Sequence, residues 1–323
     1  MTHIPHYRFG VACAIAGSVA FSGKSIIIKL AYQYGVDSVT LLMFRMLFAM
    51  PFFVLLAFLT SRGREALTKK DWCSLVLLAF VGYYMGSFLD FSGLQYITAS
   101  LGRLIMYLNP TLVLLIGFFV LGKRITVWQV VAMAISYSGI ALVFGHEIWL
   151  TGAGKNPAGQ DGIGLQTDIW LGASLVLASA FSYAIYLLYS GELVKRIGAI
   201  RLASIATSMA CVLCIAQFAL LRPLEMASQA VPEVLWLSLL NATACTVLPV
   251  LLIMMAVERI GPALTSQISM IGPIATLAMG VALLDEPLTP WVLAGTVLVI
   301  GGVYLVTKFD DQVSITKKEI TNV

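Results

Sequence analysis

Residues 20–30 read AFSGKSIIIKL, and the lysine after the glycine could serve two different chemistries. A phosphate-binding loop needs a glycine five residues before its Gly-Lys pair, so that successive backbone N–H groups can wrap the phosphates. Ser18 stands at that position, and Gly17 is one residue out of register. Such a loop also joins a strand to a soluble helix, whereas this run lies among apolar residues. Lys24 is therefore interpreted as a charge inside a membrane segment.

Three further charges interrupt long apolar segments: Arg45, Asp90 and Arg103. Ionisable side chains inside a membrane normally face protein or water, and they mark pathways for solutes or protons. These residues and Lys24 are predicted to line a pathway. A structural ion pair from Asp90 to a basic residue, with Arg45 as the first choice, would satisfy the same pattern. Lys29, at the edge of its segment, is expected to reach the headgroups, and Arg103 could do the same.

The other pathway candidates are neutral. Tyr83, Ser87 and Asp90 lie on one helical face, at spacings of four and three residues. The second half carries no charge inside an apolar segment, and its candidates are Tyr183, Asn241 and Gln267. Buried tyrosine and amide side chains also stabilise contacts between neighbouring helices, so a structural role is the alternative for each.

The composition requires lipid as the solvent for much of the chain. The 323 residues are 59% hydrophobic and 11% charged, whereas a soluble domain is about 25% charged. The net charge of +4 is too small and too scattered for a nucleic-acid partner. The five cysteines lie in or beside apolar segments and the three histidines lie outside them. Neither a metal site nor a disulfide framework is therefore expected, and no cofactor is predicted.

Ten segments are long and apolar enough to cross a bilayer, which takes about 20 residues of helix. The breaks between them are charged or rich in Gly and Pro, such as SRGREALTKKD and TGAGKNPAGQDGIG. The predicted spans are 9–30, 38–60, 72–94, 98–121, 126–145, 169–190, 202–221, 233–256, 262–284 and 289–307. A cleaved signal peptide is the alternative for the first segment, but the repeat described below requires this helix to stay.

Lys and Arg residues in the connections predict the orientation. Fourteen of them lie on the side that holds the N-terminus, and three lie on the opposite side. Because positive connections face the cytoplasm, both termini are predicted to be cytoplasmic, with the chain in the cytoplasmic (inner) membrane of the cell. Lys24, Arg45, Asp90 and Arg103 then share one level in the outer part of the membrane.

The chain contains two copies of one five-helix unit. Residues 97–143 align without gaps to residues 260–306 at a constant offset of 163, with 12 identities in 47 positions, among them Pro110/Pro273 and Trp128/Trp291. Since five is odd, the second copy must cross the membrane with opposite polarity, an architecture common among secondary transporters. Pro110 and Pro273 each remove a backbone hydrogen bond within a helix. They are predicted hinges, with a packing adaptation as the alternative.

The segments GLQYITASLGRLIMYLNPTLVLLIGFFVLGKRIT and AVERIGPALTSQISMIGPIATLAMGVALLDEPLT resemble the paired repeats of EamA-type transporters in the drug/metabolite transporter superfamily. The chain departs from that family at Gly122-Lys123, where Gly-Glu is usual, and at Phe21-Ser22, where Trp-Gly is usual. The resemblance implies an all-α integral membrane fold, with ten transmembrane helices as two inverted five-helix repeats. The predicted units are a first repeat (1–145), an external polar loop (146–168), a second repeat (169–307) and a cytoplasmic tail (308–323).

The predicted function is secondary transport of a small organic solute, such as a metabolite, amino acid or drug, by alternating access. The positive sum of the embedded charges favours an anionic or zwitterionic solute, and the family resemblance favours export. A proton is the candidate coupling ion, the lipid bilayer is the other partner, and nothing requires an oligomer. The alternative is an integral-membrane enzyme of lipid or isoprenoid metabolism. Such an enzyme needs an Asp cluster, a catalytic His or an activated nucleophile; the spans contain neither of the first two, and no enzyme is predicted.

Overall fold

In the computed structural model the chain is a bundle of helices. The structure describes residues 4–122, 125–152, 166–260 and 262–321. Every regular segment in these ranges is helical, and ten helices are long and apolar enough to cross a membrane. The predicted all-α fold with ten transmembrane helices is confirmed.

The ten helices follow the predicted order, and most ends differ from the prediction by a few residues. They are α1 (Ile4–Tyr32), α2 (Ser38–Ser61), α3 (Lys69–Gly93), α4 (Ala99–Met106 and Asn109–Leu121), α5 (Val127–Gly152), α6 (Gln166–Ile197), α7 (Ala199–Leu221), α8 (Pro232–Ile260), α9 (Pro262–Ser269 and Gly272–Leu284) and α10 (Pro290–Thr321). A one-turn helix, Glu225–Ser228, lies between α7 and α8.

Threonines at matched positions of the two repeats start two of these helices. The Thr126 hydroxyl accepts the backbone N–H of Gln129 at the start of α5, at 3.3 Å. The Thr289 hydroxyl accepts that of Val292 at the start of α10, also at 3.3 Å. A side-chain oxygen in this position satisfies a donor that the first turn of a helix leaves free. The sequence repeat is therefore also a repeat of local structure.

The repeats depart from regular α-helix at matched positions. A π-helical turn interrupts α3 at Ala79–Met85, and another interrupts α8 at Thr243–Val247, close to the offset of 163. The α4 helix breaks at residues 107–108 and α9 breaks at residues 270–271, again at that offset. Such irregular turns change which backbone carbonyls are free, and they are frequent at functional sites in membrane carriers.

Pro110 and Pro273 follow the helix breaks instead of kinking continuous helices. Each lies in the first turn of a second half-helix, Asn109–Leu121 or Gly272–Leu284. A proline fits there because the N–H that it lacks would have no helical partner. The expectation of prolines in helix interiors is therefore corrected, while their role as hinges stays a prediction.

Three helices run at least seven residues further than the sequence predicts, and one of them is α6, which ends at Ile197 instead of at residue 190. The α5 helix continues to Gly152, so residues 146–152 of the predicted external loop are helical. The apolar run at 148–150 continues the helix past His146 and Glu147, which the prediction placed beyond its end. The α10 helix likewise continues through residues 308–321 of the predicted tail. Residues 153–165 of the predicted loop, and Lys123, lie outside the described residues.

The two repeats are interlocked. The first helix of each repeat packs on the opposite repeat, α1 on α8 and α9, and α6 on α3 and α4. Matched helices also pair directly, α2 with α7 and α5 with α10. The α5–α10 contact is so close that a Cβ on Gly139 would lie 2.7 Å from the Gly295 carbonyl oxygen. Small residues at such contacts are typical of membrane helices.

Candidate transport site

The helix breaks of the two repeats meet beside α1. The Tyr107 hydroxyl at the α4 break donates to the carbonyl oxygen of Ser269 at the α9 break. From α1, the Ser22 hydroxyl donates to the Gly272 carbonyl oxygen at 2.9 Å, and the Ser18 hydroxyl donates to the Ser269 hydroxyl at 2.9 Å. The last carbonyls of a half-helix lack backbone donors. The Tyr107 hydroxyl, from the opposite repeat, supplies such a donor to the Ser269 carbonyl.

Lys24, two residues beyond Ser22 on α1, forms a buried ion pair with Asp90 on α3. The Lys24 Nζ lies 2.6 Å from Asp90 Oδ2, and the two side chains are 11% and 5% exposed. The structure thus contains an ion pair of Asp90 with a basic residue, but the expected partner, Arg45, is wrong. The Arg45 guanidinium is turned toward α8 instead, where it finds a hydroxyl acceptor.

Arg45 on α2 reaches the π-helical turn of α8. Its Nε and Nη2 both donate to the Thr246 hydroxyl oxygen at 3.2 Å. That hydroxyl in turn donates to the carbonyl of Asn241 at 2.8 Å. The Arg45 guanidinium carbon also lies 5.2 Å from the centre of the Phe91 ring, and the Lys24 ammonium lies 5.7 Å from it. The face of an aromatic ring attracts cations, so Phe91 holds both basic groups near Asp90.

Arg103 on α4 lies between two aromatic rings. Its guanidinium carbon is 4.9 Å from the centre of the Phe21 ring and 5.4 Å from that of Tyr107. A Cβ on Gly272 would lie 3.1 Å from its Nη2, which places the guanidinium directly against the α9 break. Arg103 therefore joins the charge cluster from the side of the helix breaks and does not reach the headgroups.

Several polar atoms of the cluster form no hydrogen bond within the described part of the chain. Within the described residues, Arg45 Nη1, Arg103 Nε and Asn241 Oδ1 are buried atoms without a hydrogen-bond partner. Asn241 does approach α1, since its Nδ2 donates to the Lys24 carbonyl at 3.4 Å. Unsatisfied buried donors in a native structure call for an explanation, such as a role in binding a ligand, an ion or a water molecule. Most of these free groups are donors, which suits an anion.

Lys24, Arg45 and Arg103 against Asp90 leave a net charge of +2 among buried side chains. Isolated buried charge is costly unless it is paired or hydrogen-bonded. A ligand with a carboxylate would offset part of this charge, and an ammonium group on the same ligand could exchange with Lys24 for Asp90. The geometry is therefore suited to an anion or a zwitterion.

Three predicted pathway residues lie outside this cluster. The Tyr83 hydroxyl is 3.2 Å from that of Tyr186, and the Tyr183 ring stacks on Tyr186 with a centroid distance of 5.6 Å. Tyr83 belongs to the π-helical turn of α3, so the α-helical spacing that put it on the face of Asp90 does not hold. Gln267 on α9 is exposed, and it does not join the cluster.

Sequence reasoning missed Phe91, Tyr107 and Thr246. Aromatic and hydroxyl residues are common in membrane helices, and only Tyr107 carries a signal, one helical turn after Arg103. Lys29 also differs from expectation. It was expected to reach the headgroups but is 4% exposed and faces the bundle interior. Among the described residues there is no group of three or more metal-ligating side chains.

Ten spanning helices in two interlocked repeats, with buried charges beside matched helix breaks, define a membrane protein of the transporter class. The chain belongs to the EamA-like transporter family, whose model matches residues 8–145 and 170–308. The resemblance inferred from the two repeat segments is confirmed. The names of the family and of its similar proteins indicate a transporter and give no support to an enzyme.

Two relatives and one solved structure show the extent of the similarity. The chain is 31% identical over 307 residues to the uncharacterized transporter YcbK of Bacillus subtilis, covering 92% of this chain and 91% of that protein. It is 25% identical over 300 residues to the uncharacterized transporter YetK of the same organism, covering 92% and 87%. A crystal structure shares the fold with a TM-score of 0.59 at 14% identity, over 92% of this chain and 98% of the other.

Proposed function

We propose that the protein is a secondary transporter of a small anionic or zwitterionic organic solute, with export favoured over import. The observation that carries the proposal is the net charge of +2 around Lys24, Arg45, Asp90 and Arg103, together with the free donors of the two arginines. Amino acids fit this charge pattern, since one end of the molecule is a carboxylate and the other an ammonium group. No enzymatic step is proposed.

Solute binding would proceed by exchange of ion pairs. The solute carboxylate would take Lys24 and the free donors of Arg45 and Arg103, and an ammonium group would replace Lys24 at Asp90. Each buried charge then keeps a partner, which avoids leaving an unpaired charge in low dielectric. A solute without a carboxylate or similar anion cannot make this exchange.

The inverted repeats support a mechanism of alternating access. The matched π-helical turns and matched breaks are equivalent irregular points in the two repeats, and inversion of the second repeat would direct them toward opposite sides of the membrane. The excess of Lys and Arg in connections on one side supports cytoplasmic termini and a place in the cytoplasmic membrane. A single chain contains both repeats, so the mechanism does not require an oligomer. A proton is the proposed coupling ion.

The test is transport in proteoliposomes with a panel of labelled amino acids and organic acids, measured by counterflow. Lys24→Gln keeps much of the side-chain length and removes one charge from the cluster. It should raise the apparent half-saturation concentration by about tenfold or more, since a hydrogen bond to a charged group contributes about 1.5–3 kcal/mol. Lys195→Gln, at an exposed lysine near the end of α6, is the matched control and should be neutral.

Unchanged solute affinity in Lys24→Gln would reject the proposed role of the cluster. Transport restricted to solutes that are bare cations would reject the proposed solute class. Thermal unfolding of each purified variant separates a loss of affinity from a loss of folded protein.

A further inference from the structure

A second group of buried charges lies at the end of the bundle that carries the α1–α2 and α9–α10 connections. Lys29, Glu147 and Glu286 come from α1, α5 and the connection before α10, and they are 4%, 3% and 6% exposed. Glu147 and Glu286 bind the neighbouring residues Thr98 and Ala99 at the start of α4, on which α1 packs, so Lys29 and Glu286 both lie within electrostatic range of Glu147. Lys29 is five residues beyond Lys24, a rise of about 7.5 Å along α1. One helix therefore belongs to both groups of charges.

Glu286 is fully engaged as an acceptor at the start of α4. Its Oε1 accepts the backbone N–H of Ala99 at 2.6 Å. Its Oε2 accepts the backbone N–H of Ser100 at 3.3 Å and the Ser100 hydroxyl at 2.5 Å. Three donors at the N-terminus of a helix suit a charged carboxylate. Glu286 thus ties the connection before α10 in the second repeat to the start of α4 in the first.

The Glu147 carboxylate forms a hydrogen bond through one of its two oxygens. Its Oε1 accepts a hydrogen bond from the Thr98 hydroxyl. Its Oε2 is buried and has no hydrogen-bond partner within the part of the chain that the structure describes, and the same holds for the Lys29 ammonium. A free carboxylate oxygen and a free ammonium in one buried group are a place where a proton can be gained and lost.

The charges of the group fit one proton. With every side chain ionised, Lys29, Glu147 and Glu286 total −1, and a single proton makes the group neutral. A metal cation does not fit as well, because the Lys29 ammonium already supplies a positive charge beside the carboxylates. His146, next in the chain, is the other titratable group at this end of α5. Its ring stacks on Trp149, with a centroid distance of 5.7 Å.

We propose that Glu147 and Lys29 form a single-proton site whose occupancy is coupled to solute transport. The proton comes from water and binds Glu147 Oε2, which converts the carboxylate to a neutral carboxyl group. Its release restores the carboxylate opposite Lys29. Protonation of Glu147 changes the charge near Lys29 on α1. The same helix carries Lys24, which belongs to the cluster with Arg45, Asp90 and Arg103. The coupling rests on the proposed transport function, whereas the proton binding does not.

The test of proton binding uses infrared difference spectra of the purified protein in nanodiscs, recorded between acid and alkaline pH without any solute. The wild type should show the carbonyl band of a protonated carboxyl group that disappears at alkaline pH. Glu147→Gln should remove an amplitude that corresponds to one carboxyl group per molecule. Glu233→Gln, at an exposed glutamate in the first turn of α8, is the matched control and should leave the band unchanged.

A second pair of variants reports on the same carboxyl group if Glu147→Gln is not obtained folded. Thr98→Val removes the hydroxyl that donates to Glu147 and should shift the frequency of the band, whereas Thr98→Ser keeps the donor and should not. A band that survives Glu147→Gln at full amplitude, or that ignores Thr98→Val, would overturn the site. That failure would leave the Lys24 affinity test untouched, and a failed Lys24 test would leave the proton band in place.

Discussion

At the residue scale, the cluster around Lys24 and Asp90 is asymmetric in charge, and this decides which substitution is tolerated. Removing the lysine charge leaves Arg45 and Arg103 to balance Asp90, with a sum of +1. Removing the aspartate charge leaves three cations and a sum of +3. Buried charge of one sign is costly without a partner, so we expect Asp90 to be the more sensitive position for folding and Lys24 the more sensitive position for solute binding.

Asp90→Asn should therefore lower the amount and the thermal stability of folded protein. Breaking a buried pair by removing one partner costs roughly 3–5 kcal/mol. Adding Lys24→Gln to Asp90→Asn should recover a large part of this loss, because the unpaired cation is removed as well. Unfolding of the detergent-purified variants, followed by size-exclusion chromatography after heating, measures the effect.

Asp37→Asn is the matched control for this substitution. Its partner in an ion pair is Arg222 at 3.1 Å, but the two side chains are 24% and 39% exposed. An exposed pair contributes at most about 1 kcal/mol, so the loss should be small. A double variant no more stable than Asp90→Asn alone would contradict the pairing seen in the structure.

The embedded charges could be predicted from the sequence, but their partners could not. A charged residue within a long apolar segment is evident from the sequence alone, and this signal identifies Lys24, Arg45, Asp90 and Arg103. The partner of each charge depends on how two packed helices are rotated about their axes and how deeply each lies in the membrane. The hydropathy pattern specifies neither of these quantities. Thus Asp90 was assigned to Arg45 rather than Lys24.

At the element scale, the sequence repeat predicted matched helices, but it did not predict matched irregularities within them. The π-helical turns at Ala79–Met85 and Thr243–Val247 contain no Pro, and a single glycine in the first of them, Gly82, does not predict a π-helical turn. The first of these turns also invalidates the α-helical spacing that grouped Tyr83 with Asp90. Helix ends were missed for a related reason. Glu147 reads as the start of a loop until its contacts with α1 and α4 are known.

Gly272 tests the importance of the α9 break. A Cβ at this position would lie 2.8 Å from the Tyr107 hydroxyl, 3.1 Å from Arg103 Nη2 and 3.2 Å from the Ser22 hydroxyl. The two nearest atoms lie at the ends of the long side chains of Tyr107 and Arg103, so Gly272→Ala should fold while it displaces Arg103 and weakens solute binding. Gly191→Ala is the control, since a Cβ there meets nothing within 4 Å.

Counterflow transport and thermal unfolding together check this substitution. The expected result for Gly272→Ala is a rise of several-fold in apparent half-saturation concentration with little change in thermal stability. Gly191→Ala should leave affinity unchanged, and it should be neutral or slightly stabilising because alanine favours helix more than glycine does. Normal affinity in Gly272→Ala would show that the break is not part of the solute site.

At the scale of the whole molecule, interlocking makes the repeats mechanically dependent. Because α1 packs on the second repeat and α6 on the first, neither half can move as an isolated body. Ion pairs between repeats also join helix ends at the two ends of the bundle. Arg222 pairs with Asp37 at one end, and Arg196 pairs with Asp71 at the other. The structure therefore places these helix ends at defined ends of the bundle and leaves the assignment of inside and outside to charge.

The orientation is a prediction of that charge bias, and single-cysteine labelling tests it. Residues 61–71 should face the cytoplasm, and residues 146–168 should share the outside with the α7–α8 connection. In a background without the five native cysteines, a membrane-impermeant maleimide added to intact cells should label a cysteine at Gln229 and spare one at Arg64, both of which are exposed positions. Permeabilised cells, in which both positions should react, provide the control.

The physical reason for the expected orientation is that Lys and Arg near span ends are retained on the cytoplasmic side. Labelling of Arg64→Cys from outside, with Gln229→Cys protected, would invert the topology and place the Lys29–Glu147 site on the cytoplasmic side.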